Sequence, residues 1–144
     1  MKFWDTSAIV PLCVDEPSSA LVKALLQEDP VLVVWWATRT ECVSAFMRQI
    51  RERGLRAVGE RQAREVLEIL AKTWIEVQPS AMLRRTAERL LAVHPLRAAD
   101  AMQLAAALQW CRRQPTDQGF VSFDNRLRDA AYKEGFRLSP TEPR

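Results

Sequence analysis

Two aspartates stand at like positions near the two ends of the chain. Asp5 follows the apolar run Lys2-Phe3-Trp4 and precedes Thr6-Ser7, while Asp124 follows Gly119-Phe120-Val121-Ser122-Phe123 and opens the helical stretch from Asn125 to Tyr132. Each places a carboxylate where a strand turns into a helix, and in an open parallel α/β sheet such corners face the ligand crevice. Two acids at matching corners point to one shared site. Either acid alone is also explained by capping, because Asp is a favoured helix N-cap. Thr6, Ser7 and Ser122 put hydroxyls beside them, which can hold a carboxylate or a metal-bound water and are equally at home in strand-to-helix turns.

Asp100 is unusual for a different reason. On a helix it shares a face with Leu104, Ala107, Leu108 and Cys111, the spacing of a buried stripe. A carboxylate at the leading end of such a stripe needs a counter-charge, hydrogen-bond donors or a cation, since an unpaired buried ion is costly. Arg97 or a backbone amide could satisfy it structurally, and that alternative stands beside a functional one.

These acids must be positioned by regular elements. Short apolar runs at Lys2 to Trp4, Val31 to Trp35, Trp74 to Val77, Phe120 to Phe123 and, more weakly, Phe136 to Leu138 read as buried strands. Helical patterns lie between them at Ser7 to Val14, Ser18 to Gln27, Thr38 to Arg53, Glu60 to Thr73, Ser80 to Val93, Ala98 to Arg113 and Asn125 to Glu134. Strands separated by helices need crossover connections, and those imply a mainly parallel sheet covered on both faces. Punctuation agrees: Asp15-Glu16-Pro17 starts a helix, Gly54 and Gly135 can close helices, and His94-Pro95 interrupts the chain, with His94 read as a loop residue.

The chain has 144 residues, 48% hydrophobic and 27% charged, which fits one domain over 1–144 with one sizeable core. Its net charge of +3 and sequence pI near 9.0 are compatible with a polyanionic partner but too modest to establish one. Cys13, Cys42 and Cys111 are odd in number and far apart, so neither a disulfide framework nor a CxxC metal site is indicated. A cytoplasmic protein is expected, without export signal or membrane anchor, because the apolar segment Ala8 to Val14 is too short to span a bilayer.

Taken together with Glu41, early in the third helix, the acids form an ordered set, and here the sequence resembles the PIN-domain ribonucleases. The matching pieces are Phe3-Trp4-Asp5-Thr6-Ser7-Ala8, then Glu41, then Leu96 to Leu108 around Asp100, then Val121-Ser122-Phe123-Asp124-Asn125-Arg126-Leu127. The nearest likeness is to the VapC-type toxins of toxin–antitoxin modules, and it spans Phe3 to Phe136. Periodicity alone does not select Glu41: an apolar stripe through Val43, Phe46, Met47 and Ile50 leaves it to one side, and an acid in a first turn is stabilised by the helix dipole anyway.

The resemblance implies a three-layer α/β/α PIN-like fold with strand order 3-2-1-4-5. It implies a catalytic and metal-binding quartet of Asp5, Glu41, Asp100 and Asp124, and a metal-dependent endoribonuclease acting as the toxin of a type II module on a structured RNA. It also implies a homodimer and a cognate VapB-type antitoxin. Carboxylates without His or Cys suit hard, hydrated Mg²⁺ or Mn²⁺ and argue against zinc. Glu16 resembles an acid often found at its place in these toxins and reads equally as a helix-start residue. Trp4 is bulkier than the residue expected before the first aspartate, a departure that concerns packing.

Other classes fit less well. A silent PIN-like module that binds RNA or protein is the main rival. A haloacid-dehalogenase-like phosphatase needs a second acid two residues after Asp5, where Ser7 stands, and a receiver domain needs an acid pair and a late lysine that are missing. A mechanism through a 2′,3′-cyclic phosphate with two histidines lacks its second His. Arg48, Arg51, Arg53 and Arg56, with Arg84, Arg85 and Arg89, could line a phosphate groove or form solvated helix faces. Trp35, Trp36, Trp74 and Trp110 could stack on bases or fill the core.

Overall fold

The computed structural model describes residues 1–141, and its order of elements is the alternation expected. Five strands, β1 (Lys2–Trp4), β2 (Leu32–Trp35), β3 (Ile75–Val77), β4 (Gly119–Val121) and β5 (Arg137–Ser139), form one sheet in the order β3-β2-β1-β4-β5. Every pairing is parallel. Seven helices connect them: α1 (Thr6–Cys13), α2 (Ser19–Glu28), α3 (Thr38–Arg53), α4 (Ala57–Ala71), α5 (Ala81–Val93), α6 (Ala98–Trp110) and α7 (Asn125–Glu134).

The three inner strands β1, β2 and β4 are buried on both faces, and their alternation divides the interior in two. Phe3, Val33, Trp35 and Phe120 face a core shared with α5, α6 and α7. Trp4, Leu32, Val34 and Val121 face a second core shared with α1 to α4. Successive residues of β1, Phe3 and Trp4, are both fully buried, each in a different core. The sheet is therefore the middle of three layers. Each such side chain contributes about 2 to 3 kcal/mol of burial.

Gly54 (φ 71°) and Gly135 (φ 110°) close α3 and α7 in the left-handed conformation that a Cβ disfavours. The strand order turns around at β1, so β1 and β4 are central neighbours whose carboxyl ends open at the same edge. Asp5 and Asp124 follow those two ends. No helix among the described residues is long and apolar enough to cross a membrane.

His94 stands in the connection between α5 and α6, as expected, in extended conformation at the C-cap of α5; it is buried there, and its Nε2 lies 2.7 Å from Glu134 Oε2. Two readings are corrected. Ile50 is not on a buried stripe of α3, being 38% exposed; the buried residues there are Thr38, Cys42, Ala45 and Phe46. The strand at 120–123 ends at Val121, because the Ser122 hydroxyl and the Phe123 N–H turn into the loop that builds the site.

Candidate active site

Asp5 sits one residue beyond β1 as the N-cap of α1, and only 2% of it is exposed. Its Oδ1 accepts hydrogen bonds from the Ser7 N–H (2.5 Å) and the Ser7 hydroxyl (2.6 Å), and its Oδ2 accepts from the Ser122 hydroxyl (2.6 Å). Burial raises its pKa from 3.8 to about 6. The three hydrogen bonds hold the rise down, and the Asp124 carboxylate adds to it.

Asp124 begins the second corner. It caps α7, with Oδ1 accepting from the Leu127 N–H at 3.0 Å, while its own N–H donates to Ser122 Oγ at 3.0 Å. The Phe123 N–H donates to Ser7 Oγ at 2.8 Å. Capping and convergence thus operate together: the bonds that start α1 and α7 also aim both carboxylates to one side.

Beneath this corner lies a buried cation. The Arg128 guanidinium is 4% exposed and donates to the carbonyls of Ser122 (2.8 Å) and Pro140 (2.7 Å). It fixes the backbone from which the Ser122 hydroxyl reaches Asp5.

Glu41 enters from the first turn of α3. Its Oε1 accepts from the Thr6 hydroxyl (2.5 Å) and from Gln103 Nε2 (2.9 Å). Gln103, on α6, is 2% exposed, and its Nε2 also lies 3.0 Å from the hydroxyl oxygens of Thr6 and Thr38. This amide knits α1, α3 and α6 together around the glutamate. Asp100 lies one turn earlier on α6, half-buried, and its Oδ2 accepts one long bond, 3.4 Å, from the Arg97 N–H. The Arg97 guanidinium makes no ion pair with it. Burial raises the Asp100 pKa, with the Asp124 carboxylate adding to the rise.

All four acids line one open cavity of about 590 Å³. Glu16 lines it too, its Oε1 accepting from Gln49 Nε2 at 2.7 Å, so this acid does more than start a helix. Arg48 and Arg53 of α3 form part of the wall; Arg51, Arg84, Arg85 and Arg89 do not. Of the tryptophans, Trp35 and Trp74 belong to the cores, Trp110 packs against one of them, and Trp36 is 52% exposed.

Sequence patterning missed Gln103 and Thr38. Both look like ordinary polar helix residues, and the usable signal is that Gln103 falls within the apolar run Ala101 to Leu108. Among the described residues no set of three or more His, Cys, Asp or Glu side chains forms a ready-made metal cage. The donors around the cavity are nonetheless oxygens of carboxylates and hydroxyls, with no described His or Cys in its wall. That chemistry fits a hard cation which keeps most of its water and takes only one or two carboxylates directly.

Comparisons with known proteins agree with this architecture. The comparison with curated proteins found no match. Among solved structures, VapC20 from Mycobacterium tuberculosis, described as a sarcin-ricin loop cleaving toxin, is similar with a TM-score of 0.68 and 20% identity. That match covers 90% of this chain and 95% of the other. FitAcB from Neisseria gonorrhoeae is similar with a TM-score of 0.66 and 15% identity, over 96% of each chain. At such identities the likeness is one of fold. The PIN domain family model matches residues 2–133, a span that includes β1, β4 and all four acids, and the chain belongs to the PIN-domain family.

Proposed function

We propose that the protein is a metal-dependent endoribonuclease, the toxin of a type II toxin–antitoxin module, hydrolysing a phosphodiester in a structured RNA. The observation that carries this reading is the convergence of Asp5, Glu41, Asp100 and Asp124, from four separate elements, on one open cavity. Gathered carboxylates repel one another, and a cation that offsets the repulsion gives the cluster a purpose that capping does not. The fold shared with VapC20, itself described as a sarcin-ricin loop cleaving toxin, supports RNA as the substrate class.

Asp5, Glu41, Asp100 and Asp124 would hold Mg²⁺ or Mn²⁺, which when bound supplies Lewis-acid polarisation of the phosphate and an acidified water. The chain's own contribution is preorganisation. Ser7 and Ser122 fix both Asp5 oxygens, and Thr6 and Gln103 fix Glu41 Oε1, so these carboxylates need little reordering when substrate arrives. In the overall reaction a water oxygen bonds to phosphorus, the bond from phosphorus to the 3′-oxygen breaks, and that oxygen ends protonated. The products are a 5′-phosphate and a 3′-hydroxyl. His94, engaged with Glu134, leaves no histidine pair for a cyclic-phosphate route.

On the same reading the protein forms a homodimer, works in the cytoplasm, and has a cognate VapB-type antitoxin whose C-terminal segment occupies the acidic cavity. The rival reading is a silent PIN-like module that binds RNA or protein. Calorimetric titration with Mn²⁺ separates the two, since a silent module takes up no ion at these acids. The direct test is cleavage of an end-labelled structured RNA. Fragments with 5′-phosphate and 3′-hydroxyl ends, abolished by EDTA, are expected; 2′,3′-cyclic phosphate ends from the purified protein overturn the mechanism.

A further inference from the structure

A second cavity adjoins the first, and the two share Gln49 and Arg53 in their walls. Its shape comes from a helix hairpin: α3 ends at Arg53, Gly54 turns the chain in the left-handed conformation, and α4 starts at Ala57. Arg48, Gln49, Glu52 and Arg53 lie on one face of α3, at the spacing that stacks side chains along a helix. Arg53 and Arg56 line the second cavity together with the aliphatic side chains of Val14, Leu55 and Val58. Arg48, Arg53 and Arg56 are exposed, and the carboxylate pairs formed by arginines among the described residues engage Arg39, Arg64, Arg89 and Arg137 instead. The carboxylates nearby are Asp15 in the second cavity and Glu52 and Glu16 in the first. Glu16 is engaged with Gln49.

Resting on the nuclease reading, we infer that the two cavities form one groove for a single RNA strand. The acid cluster takes the phosphodiester to be cut, and Arg53 and Arg56 hold the phosphates flanking it. Unpaired guanidinium groups in a row select a chain of anions, and a planar guanidinium can grip a phosphate with two donors. The aliphatic wall of Val14, Leu55 and Val58 gives the faces of a ribose or base an apolar surface, which a bare anionic polymer would not use. An acidic active site repels its own substrate, so flanking cations beyond the cluster are what allow a polyanion to approach it.

The test uses the double variant Arg53→Gln/Arg56→Gln and, as control, Arg51→Gln/Arg84→Gln, whose side chains lie outside both cavities. Binding of a short, mixed-sequence, fluorescently labelled single-stranded RNA is measured by anisotropy in EDTA over a range of KCl concentrations. Cleavage by the metal-supplied proteins is measured in parallel. The double variant should bind about tenfold or more weakly, and its plot of log affinity against log salt should be shallower by about 1.4, the slope of two lost phosphate contacts on a single strand. KM should rise with kcat little changed, and the control should match the parent.

Parent-like binding and salt slope in the double variant, with cleavage intact, overturn the groove and leave the nuclease reading standing. Normal RNA binding through these arginines without cleavage does the reverse. Equal losses in the control show that general positive charge, not this groove, draws the RNA. Polyglutamate competing as well as RNA at equal charge overturns the nucleotide assignment in favour of an acidic protein segment.

Discussion

The Ser122 hydroxyl joins the two corner aspartates: its Oγ donates to Asp5 Oδ2 at 2.6 Å and accepts the Asp124 N–H at 3.0 Å. One small side chain thus couples the carboxyl ends of β1 and β4. It also favours the ionised form of Asp5, since a hydrogen bond donated to a carboxylate stabilises its charge.

Replacing Ser122 with Ala should therefore push the Asp5 pKa further above about 6. The acidic limb of the pH–rate profile should move to higher pH, and the protein should lose about 1 to 2 kcal/mol of stability. Ser122→Thr, which keeps the hydroxyl, should restore the limb. An unmoved limb in the alanine variant would mean that Asp5 ionisation does not govern the rate.

Burial of Asp5 has a consequence for the metal-free protein. Its folded-state pKa of about 6 lies above the ordinary 3.8, so the native state binds the proton more tightly than the unfolded chain. The contribution to stability is then complete below pH 3.8 and disappears as pH rises through 6; its upper bound is about 3 kcal/mol. In EDTA, the difference in unfolding free energy between the parent and Asp5→Asn should shift against the parent between pH 4 and 7. A flat difference would show that burial does not penalise the Asp5 charge.

Much of this was legible in the sequence, and the parts that were not share a cause. The corners at Asp5 and Asp124 were readable because an acid after an apolar strand is a local pattern. The β3-β2-β1-β4-β5 order followed from family resemblance, since alternation of strands and helices specifies parallel pairing but not strand order. Glu41 was reached through the resemblance and not through the periodicity of its own helix. Beside Phe46, the face that α3 buries is lined by Thr38, Cys42 and Ala45, small residues that carry little hydrophobic signal, while Ile50, which carries a strong one, is exposed. The burial of His94 within its connection was not legible, because its partner Glu134 lies 40 residues away. Gln103 was passed over for the same reason: its value comes from Thr6, Thr38 and Glu41, each distant in the chain.

Gln103 gives a test of that buried network. Gln103→Met keeps the approximate volume but removes the amide, leaving Glu41 Oε1 with Thr6 as its donor. The loss of donors to buried oxygens should cost about 1 to 3 kcal/mol. Cleavage should fall through weaker metal affinity. Combined with Thr6→Val, the second substitution should do less harm than in the parent, because both groups serve one carboxylate oxygen. Strictly additive losses in metal affinity would indicate that the two side chains do not act through Glu41.

Asp100 separates a structural acid from a functional one most cleanly. It is half-buried, its recorded hydrogen bond is the long one from the Arg97 N–H, and no described cation forms an ion pair with it. Burial, with the Asp124 carboxylate, disfavours its charge and raises its pKa, outweighing the Arg97 N–H and the Arg97 and Arg126 charges that favour it. Asp100→Asn keeps the shape, can still accept the Arg97 bond and removes one negative charge. In EDTA the variant should therefore melt at the parent's temperature or above it. Saturating Mn²⁺ should raise the melting temperature of the parent, because a ligand bound only to the native state stabilises by mass action, about 2.7 kcal/mol at a hundredfold excess over Kd. In the variant that rise should shrink, and RNA cleavage should fall with it. A structural role predicts the opposite: a lower melting temperature in EDTA with metal binding and cleavage per folded molecule unchanged. That outcome would remove Asp100 from the site and leave the remaining acids as its only carboxylates.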